Sequence, residues 1–148
     1  MQIREANIQD IEQLAELFDA YRKFYGKTSD IKQATIFLTE RIQHKESVIF
    51  VAENEHKILA GFVQLYPIFS STRLKRLWLL NDLFVLENYR NQGISIALIE
   101  QCKKLCLESN SCGMYLETAK TNIVGNNLYP KTGFQLDQEN NFYTWFLE

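Results

Sequence analysis

The sequence is sparing in the residues that staple, kink or strongly charge a chain. Among 148 residues there are three cysteines, two prolines and six glycines. Cys102, Cys106 and Cys112 make no CxxC spacing, and the only histidines, His44 and His56, lie far from them. A zinc site or a disulfide framework is therefore not expected. Cys102 and Cys106 stand four apart and read as small buried hydrophobes on one helix face. There is no basic excess: 16 Lys and Arg face 18 Asp and Glu, for a net charge of −2. That argues against a nucleic-acid partner. The densest basic cluster, Arg73, Lys75 and Arg76, reads as a solvated strand end. No apolar run reaches membrane-spanning length, and the opening MQIREANIQD has no apolar signal core. G-x-G-x-x-G and G-x-x-x-x-G-K-[ST] are both missing, which disfavours a NAD enzyme and a P-loop NTPase. The expectation is a reduced, cytoplasmic protein with no metal and no membrane or nucleic-acid partner.

What the chain does have is apolar bulk. Residues of that class make up 46% and aromatics 13%, enough for a core and against disorder. No linker, repeat or low-complexity tract interrupts it, so residues 1–148 read as one domain. MQIREA is a short strand. The stretch 7–26 reads as a helix capped by Asn7, with Ile8, Ile11, Leu14, Leu17, Phe18, Tyr21 and Phe24 on one stripe and Gly26 at its end. A second helix follows over 30–44. The period then shifts to that of strands in SVIFVAEN, KILAGFVQLYPIF and RLWLLNDLFVLE. GISIALIEQCKKLCLES is a helix with Ile94, Ala97, Leu98, Cys102 and Leu105 facing the core. CGMYLETAK reads as a strand, NIVGNNLYPKTGF as a short helix and NNFYTWFLE as a last strand. The order is β-α-α-β-β-β-α-β-α-β, an α+β chain with a mixed, twisted central sheet.

One junction carries chemistry. In VLENYRNQGISIALIEQ a strand ends, a polar run passes through Arg90, Asn91 and Gln92 to Gly93, and a helix begins. A helix start has N–H groups without intrahelical partners and partial positive charge. Gly93 lets an anion approach the backbone, and Arg90 adds a forked, permanent cation. The stretch suits a pyrophosphate; a plain strand–helix turn is the competing reading.

Two segments together, NDLFVLENYRNQGISIALIE and NIVGNNLYPKTGF, resemble the GNAT acetyltransferase superfamily. The first is similar to that family's strand, Q/R-x-x-G-x-G/A loop and helix, the second to its Asn-x-x-Ala-x-x-x-Tyr-x-x-x-Gly-Phe. The strand looks most like that of the polyamine and small histone-type acetyltransferases. The resemblance implies acetyl-CoA as co-substrate. By motif position, the backbone of Leu83, Phe84 and Val85 would pair with the pantetheine arm. Arg90, Asn91, Gln92, Gly93, Ile94 and Ser95 would wrap the pyrophosphate, Asn122 would hydrogen-bond the pantetheine, and Tyr129 would sit beside the thioester sulfur. Three departures stand out. Ser95 replaces a Gly or Ala. Gly125 replaces an Ala, at a helix cost of about 1 kcal/mol. Pro130 is expected to bias Tyr129 away from helical geometry.

The implied reaction is direct attack of an amine on the thioester. An alkylamine of pKa ~10.4 is about 0.1% neutral near pH 7.4, a handicap of roughly 4 kcal/mol. Asn81 stands where the polyamine enzymes carry a glutamate, and it takes no proton. Asp82 is the next catalytic candidate, either through water or in a structural role, because successive strand residues point to opposite faces. Full proton transfer from Tyr129 to the thiolate is uphill by about 2 kcal/mol, so a hydrogen bond to the leaving sulfur is the better reading. Two loops, YRKFYGKTSD and YPIFSST, are expected to flank the acceptor, with Tyr25, Tyr66, Phe69 and Asn81 as lining residues and Asp30 and Asp82 as nearby charges. Competing functions are a catalytically silent acetyl-CoA-binding regulatory module and a structural domain independent of CoA. In the last strand both faces are largely apolar, with Phe142, Thr144 and Phe146 on one and Tyr143, Trp145 and Leu147 on the other. That pattern suggests a homodimer with Tyr143 or Trp145 near its interface.

Overall fold

A computed structural model describes residues 1–147. They divide into two compact units, residues 1–117 and residues from 118 onward.

The first unit is a five-stranded sheet with three helices. The strands are β1 (Gln2–Glu5), β2 (Val48–Glu53), β3 (Leu59–Ser70), β4 (Lys75–Val85) and β5 (Met114–Tyr115). They lie in sequence order, antiparallel as far as β4, and β5 joins β4 in parallel. The mixed sheet expected from the alternation of periods is present. The helices are α1 (Ile11–Phe24), α2 (Ile31–Gln43) and α3 (Ile94–Glu108).

Local chemistry explains the starts and stops. Asn7 accepts a hydrogen bond from the Gln9 N–H at 2.9 Å, and Asp10 reaches back to the Asn7 N–H at 2.8 Å. This reciprocal cap closes a 3-10 turn, Ile8–Asp10, that leads into α1. Asp10 also takes two hydrogen bonds from Arg4, whose Nε bonds Glu53 at 2.9 Å, so the same cap ties β1 to β2. Asp19, buried on α1, accepts from Ser29 Oγ and from the Asp30 N–H, both at 2.7 Å. Burial pushes its carboxyl up, but those donors and Lys23 hold it below the usual carboxylate range. Asp30 itself caps α2, accepting from the Gln33 N–H.

Leu14, Leu17 and Leu38 of α1 and α2 pack with Ile49, Val51 and Phe62 of the sheet. β3 is buried at every position from Leu59 to Leu65, which requires cover on both of its faces. On α3 the buried residues are Ile94, Leu98, Ile99 and Cys102. Ile99 therefore takes a core place expected for Ala97, which is exposed. β3 runs beyond the end of β2, whose last pair is Val48 with Leu65. Pro67 sits in that overhang, where its missing N–H costs no ladder bond on the open side. Tyr66 thus lies within β3 opposite Leu79, not in the loop to which the sequence assigned YPIFSST.

The second unit contains α4 (Ile123–Lys131). The helix passes through Pro130 and includes Tyr129, so the expected displacement of Tyr129 from helical geometry does not occur. Proline at this point deprives only the last turn of one N–H, and the Phe134 N–H closes that turn on the Tyr129 carbonyl at 3.1 Å. The expected last strand is not formed: residues 141–147 carry no regular secondary structure, and Glu148 lies outside the described residues. Likewise, the strand expected over CGMYLETAK shrinks to Met114–Tyr115. A strand is held by ladder hydrogen bonds to a neighbour, and β propensity alone does not supply one.

Gly61 sets how closely β3 and β4 approach. It faces Val85, and a Cβ there would lie 2.7 Å from the Phe84 carbonyl oxygen and 3.2 Å from the Val85 Cα. Gly61→Ala must push backbone from backbone, at a cost of about 1–3 kcal/mol. Urea denaturation is expected to show a lower midpoint at unchanged slope; an unchanged midpoint would rule out this close approach.

Candidate active site

β4 is the strand that carries most of the candidate site residues. Its pairing with β5 is confined to Trp78 with Met114 and Leu79 with Tyr115. From Leu80 to Val85 no strand among the described residues pairs with its outer edge, while β3 holds the inner one. Leu83, Phe84 and Val85 lie on this one-sided stretch. Such an edge can take an extended ligand as an added strand. One of its carbonyls is engaged: Arg90 Nε donates to the Val85 oxygen at 3.0 Å. The Arg90 guanidinium lies 5.7 Å from the Phe84 ring centre and 6.0 Å from that of Phe24. Arg90 is therefore tucked against the end of β4, a position that the pyrophosphate reading from the sequence did not foresee.

Past β4 the chain makes a 3-10 turn, Glu87–Tyr89, then reaches Asn91 with φ +61° and Gly93 with φ +77°. Gly93 is the residue before α3, and no side chain caps that helix. The first N–H groups of α3, around Ile94 and Ser95, thus remain for an external acceptor. A Cβ built on Gly93 meets no atom within 4 Å, so glycine is required here by the left-handed backbone and not by crowding. Gln92 folds back, donating to the Asn88 carbonyl at 3.4 Å. The turn fits an anionic group such as a pyrophosphate: open space, exposed amides and the partial charge of a helix start.

On the inner half of β4 the ladder slips. Gln64 faces Asp82 but Leu65 faces Leu80, so Asn81 is the extra residue of a β-bulge. A bulge bends its strand and re-aims its side chains. Asn81 is exposed and Asp82 is buried, 4% accessible. Asp82 Oδ2 accepts from Gln64 Nε2 at 2.8 Å, and Oδ1 accepts from Asn81 Nδ2 at 3.0 Å. Tyr21 adds a third hydrogen bond. Gln64 is itself fully buried and accepts from Ser47 Oγ at 2.8 Å. Burial pushes the Asp82 carboxyl up, and the hydrogen bonds from Gln64, Tyr21 and Asn81 pull against it. The Tyr66 hydroxyl is pushed up to about 12, first by burial and then by the Asp82 charge, with Arg41 opposing.

The sequence placed Asn81 and Asp82 on opposite faces of the strand without saying which faces inward; the structure buries Asp82 and exposes Asn81. Gln64, Tyr21 and Ser47 were missed. The signal for Gln64 was available, since it is the one amide inside the apolar run of β3. Tyr25 is half exposed just beyond α1, edge-on to Tyr21 at 5.0 Å and to Phe24 at 5.3 Å. Phe69 is largely exposed, with Arg76 stacked 5.1 Å from its centre. Asp30 is absorbed by its helix cap.

In the second unit, Asn122 caps α4. Its Oδ1 accepts from the Gly125 N–H at 3.0 Å and its Nδ2 donates to Thr118 Oγ1 at 2.9 Å. The departure at Gly125 now has a cause: a Cβ would lie 2.6 Å from Asn122 Nδ2 and 3.2 Å from the Tyr129 ring. Glycine there keeps the cap and the tyrosine in place. Tyr129 is half buried, packed edge-on to Phe134 at 5.8 Å.

Comparison with known proteins agrees with this geometry. The model of the acetyltransferase (GNAT) family matches residues 14–134. The chain is 38% identical over 137 residues to the uncharacterized N-acetyltransferase YhfO of Bacillus subtilis strain 168, covering 93% of this chain and 91% of that protein. It is 34% identical over 143 residues to a probable acetyltransferase of Haemophilus influenzae, covering 97% and 96%. The crystal structure of a probable acetyltransferase, 39% identical, superposes with a TM-score of 0.96 over 100% of this chain and 99% of its own. With the family's two motifs on the elements just described, the chain belongs to the acetyltransferase (GNAT) family and is an N-acetyltransferase.

Proposed function

We propose that the protein transfers the acetyl group of acetyl-CoA directly to a primary amine of a small molecule or peptide. The observation that carries this reading is the one-sided edge of β4 running into the uncapped start of α3. Leu83, Phe84 and Val85 offer backbone to the pantetheine. The amides of Asn91, Gln92, Gly93, Ile94 and Ser95 take the pyrophosphate, and Arg90 swings from the Val85 carbonyl to join them. Asn122 contributes to the pantetheine by sharing the amide that caps α4. The amine nitrogen bonds to the acetyl carbonyl carbon, the carbon–sulfur bond breaks, and CoA leaves as its thiol. Of the two protons that the ammonium gives up, one ends on sulfur and the other in solvent. Tyr129 hydrogen-bonds the departing sulfur, as the resemblance implies. Asp82 supports catalysis as a buried charge; it is too enclosed to take a proton directly from a substrate. Tyr25, Tyr66 and Asn81 line the acceptor.

Residues 1–148 act in this reading as one domain, since one family motif falls in each compact unit. The protein works in the cytoplasm, needs no metal, and has neither nucleic acid nor membrane as a partner. It forms a homodimer. Phe142, Tyr143, Trp145, Phe146 and Leu147 are each 70–89% exposed, and an exposed apolar segment of this kind seeks cover. Five such side chains, at about 150–250 Å² for each aromatic, approach the ~800 Å² per partner of a standard interface.

Three outcomes are expected. Gly93→Ala, which retains a folded circular dichroism spectrum, binds acetyl-CoA at least about tenfold more weakly by calorimetry, because the added methyl group crowds the approach to the turn. Equal affinity would mean that the site lies elsewhere. Tyr129→Phe loses about tenfold or more in turnover with acetyl-CoA affinity little changed; full activity would leave Tyr129 as packing. Light scattering at micromolar concentration gives about twice the 17.4 kDa of one chain, and a mass fixed at one chain as concentration rises would refute the dimer.

A further inference from the structure

Asn81 is the one exposed member of an otherwise enclosed polar chain, and the rest of that chain fixes which way its amide faces. The Ser47 hydroxyl donates to Gln64 Oε1 at 2.8 Å, which leaves Gln64 Nε2 to face Asp82 at 2.8 Å. Tyr21 brings a further hydrogen bond to the same carboxylate. An ionised carboxylate only accepts. Asn81 Nδ2 donates to Asp82 Oδ1 at 3.0 Å, which turns Asn81 Oδ1 away from the carboxylate. No donor among the described residues reaches the other end of the amide, Asn81 Oδ1.

From this we infer that Asn81 Oδ1 is the group that holds the nitrogen of the acceptor amine, with Asp82 as the positioning residue behind it. The inference rests on the acetyl-transfer reading above and specifies which atom of the site meets the acceptor. Three features make the placement fit a cationic primary amine. First, the bulge at Asn81 turns its side chain out of the ladder at the point where β4 loses its outer neighbour. Second, the hydrogen bonds to Asp82 all come from uncharged groups, Gln64, Asn81 and Tyr21. A buried carboxylate without a cation against it attracts one across a short gap. Third, Tyr21 connects this network to an aromatic wall. Its ring lies 5.0 Å from Tyr25 and 6.2 Å from Phe84, and Phe24 lies 6.4 Å from Phe84. Aromatic faces favour the carbon stem and the positive head of an alkylammonium.

The chemical consequence is distinct from that of a carboxylate at position 81. An amide oxygen accepts a hydrogen bond from N–H in either the ammonium or the neutral amine, but it cannot remove the proton. Asn81 therefore contributes orientation and affinity toward the amine. Its loss should appear in the KM of the amine far more than in that of acetyl-CoA.

The test follows CoA thiol release with n-butylamine, 1,4-diaminobutane, spermidine and glycinamide as probes. It compares the parent with Asn81→Leu, which keeps the bulk, and with Asp82→Asn, which keeps the shape but removes the charge. For every probe the parent acetylates, Asn81→Leu is expected to raise the amine KM about tenfold or more, with the acetyl-CoA KM little changed. Asp82→Asn should raise the same KM. If Asp82→Asn is too unstable to assay, Asn81→Leu alone decides. An amine KM within twofold of the parent in Asn81→Leu overturns the assignment, as does an equal rise in both KM values, the mark of a merely structural role. Should the parent bind acetyl-CoA yet acetylate none of the four probes, the alkylamine-acceptor reading falls and this assignment with it. A kinetic change confined to the variants leaves that broader reading intact.

Discussion

The candidate site depends on one constraint of sheet geometry: among the described residues β4 is paired along its full length on one side and over only two residues on the other. The inner side is held by β3 from Gly61 to Ser70. On the outer side, parallel pairing with β5 ends at Leu79 and Tyr115. A strand in this state is rigid enough to hold its geometry and still has backbone groups to offer on its far half. The close approach permitted by Gly61 and the bulge at Asn81 are both features of the β3–β4 ladder. In the proposed reading it is therefore this ladder, and not the loops around it, that positions the chemistry. The turn that follows β4 then delivers the chain to an uncapped α3.

Polar groups inside the first unit divide by whether their charge is answered. Arg4 joins Asp10 and Glu53, and Lys57 also reaches Glu53. Lys57 and Arg4 hold the Glu53 carboxyl below its usual range. These groups couple β1, β2 and the start of α1, and their charges cancel. Asp82 differs: it is buried, and its hydrogen bonds come from neutral groups. A fold concerned only with stability gains little from an unbalanced buried carboxylate. Its position next to the bulge is the physical reason for seeking an outside cation at that point.

Much of this was legible in the sequence, and the reasons are specific. Asn7 before Ile8 and Ile11 announced the start of the α1 region; Gly93 between an apolar strand and an apolar-striped helix announced the turn. The change of period after His44 separated helices from strands. Other features depend on tertiary contacts that no local pattern encodes. NNFYTWFLE has strong strand character, yet residues 141–147 form no strand, because a ladder partner is a property of the surroundings. Pro130 was expected to displace Tyr129, but the loss of one N–H falls in the last turn of α4. Gly125 looked like a weakness and proves to be a clearance for Asn122 and the Tyr129 ring. The bulge at Asn81 has no sequence signature, and without it Gln64 and Asp82 could not be seen to face each other. Arg90 was read as a phosphate ligand from its place before Gly93; its contact with Val85 and the Phe24 and Phe84 rings could come only from the fold.

Hydrogen–deuterium exchange with and without acetyl-CoA tests the central role of the β4 edge most directly. The account predicts slower exchange in the peptide spanning Leu80–Val85 and in the turn from Asn91 to Ser95 when acetyl-CoA is added. Protection by acetyl-CoA confined to other parts of the chain, with Leu80–Val85 exchanging as before, would contradict it.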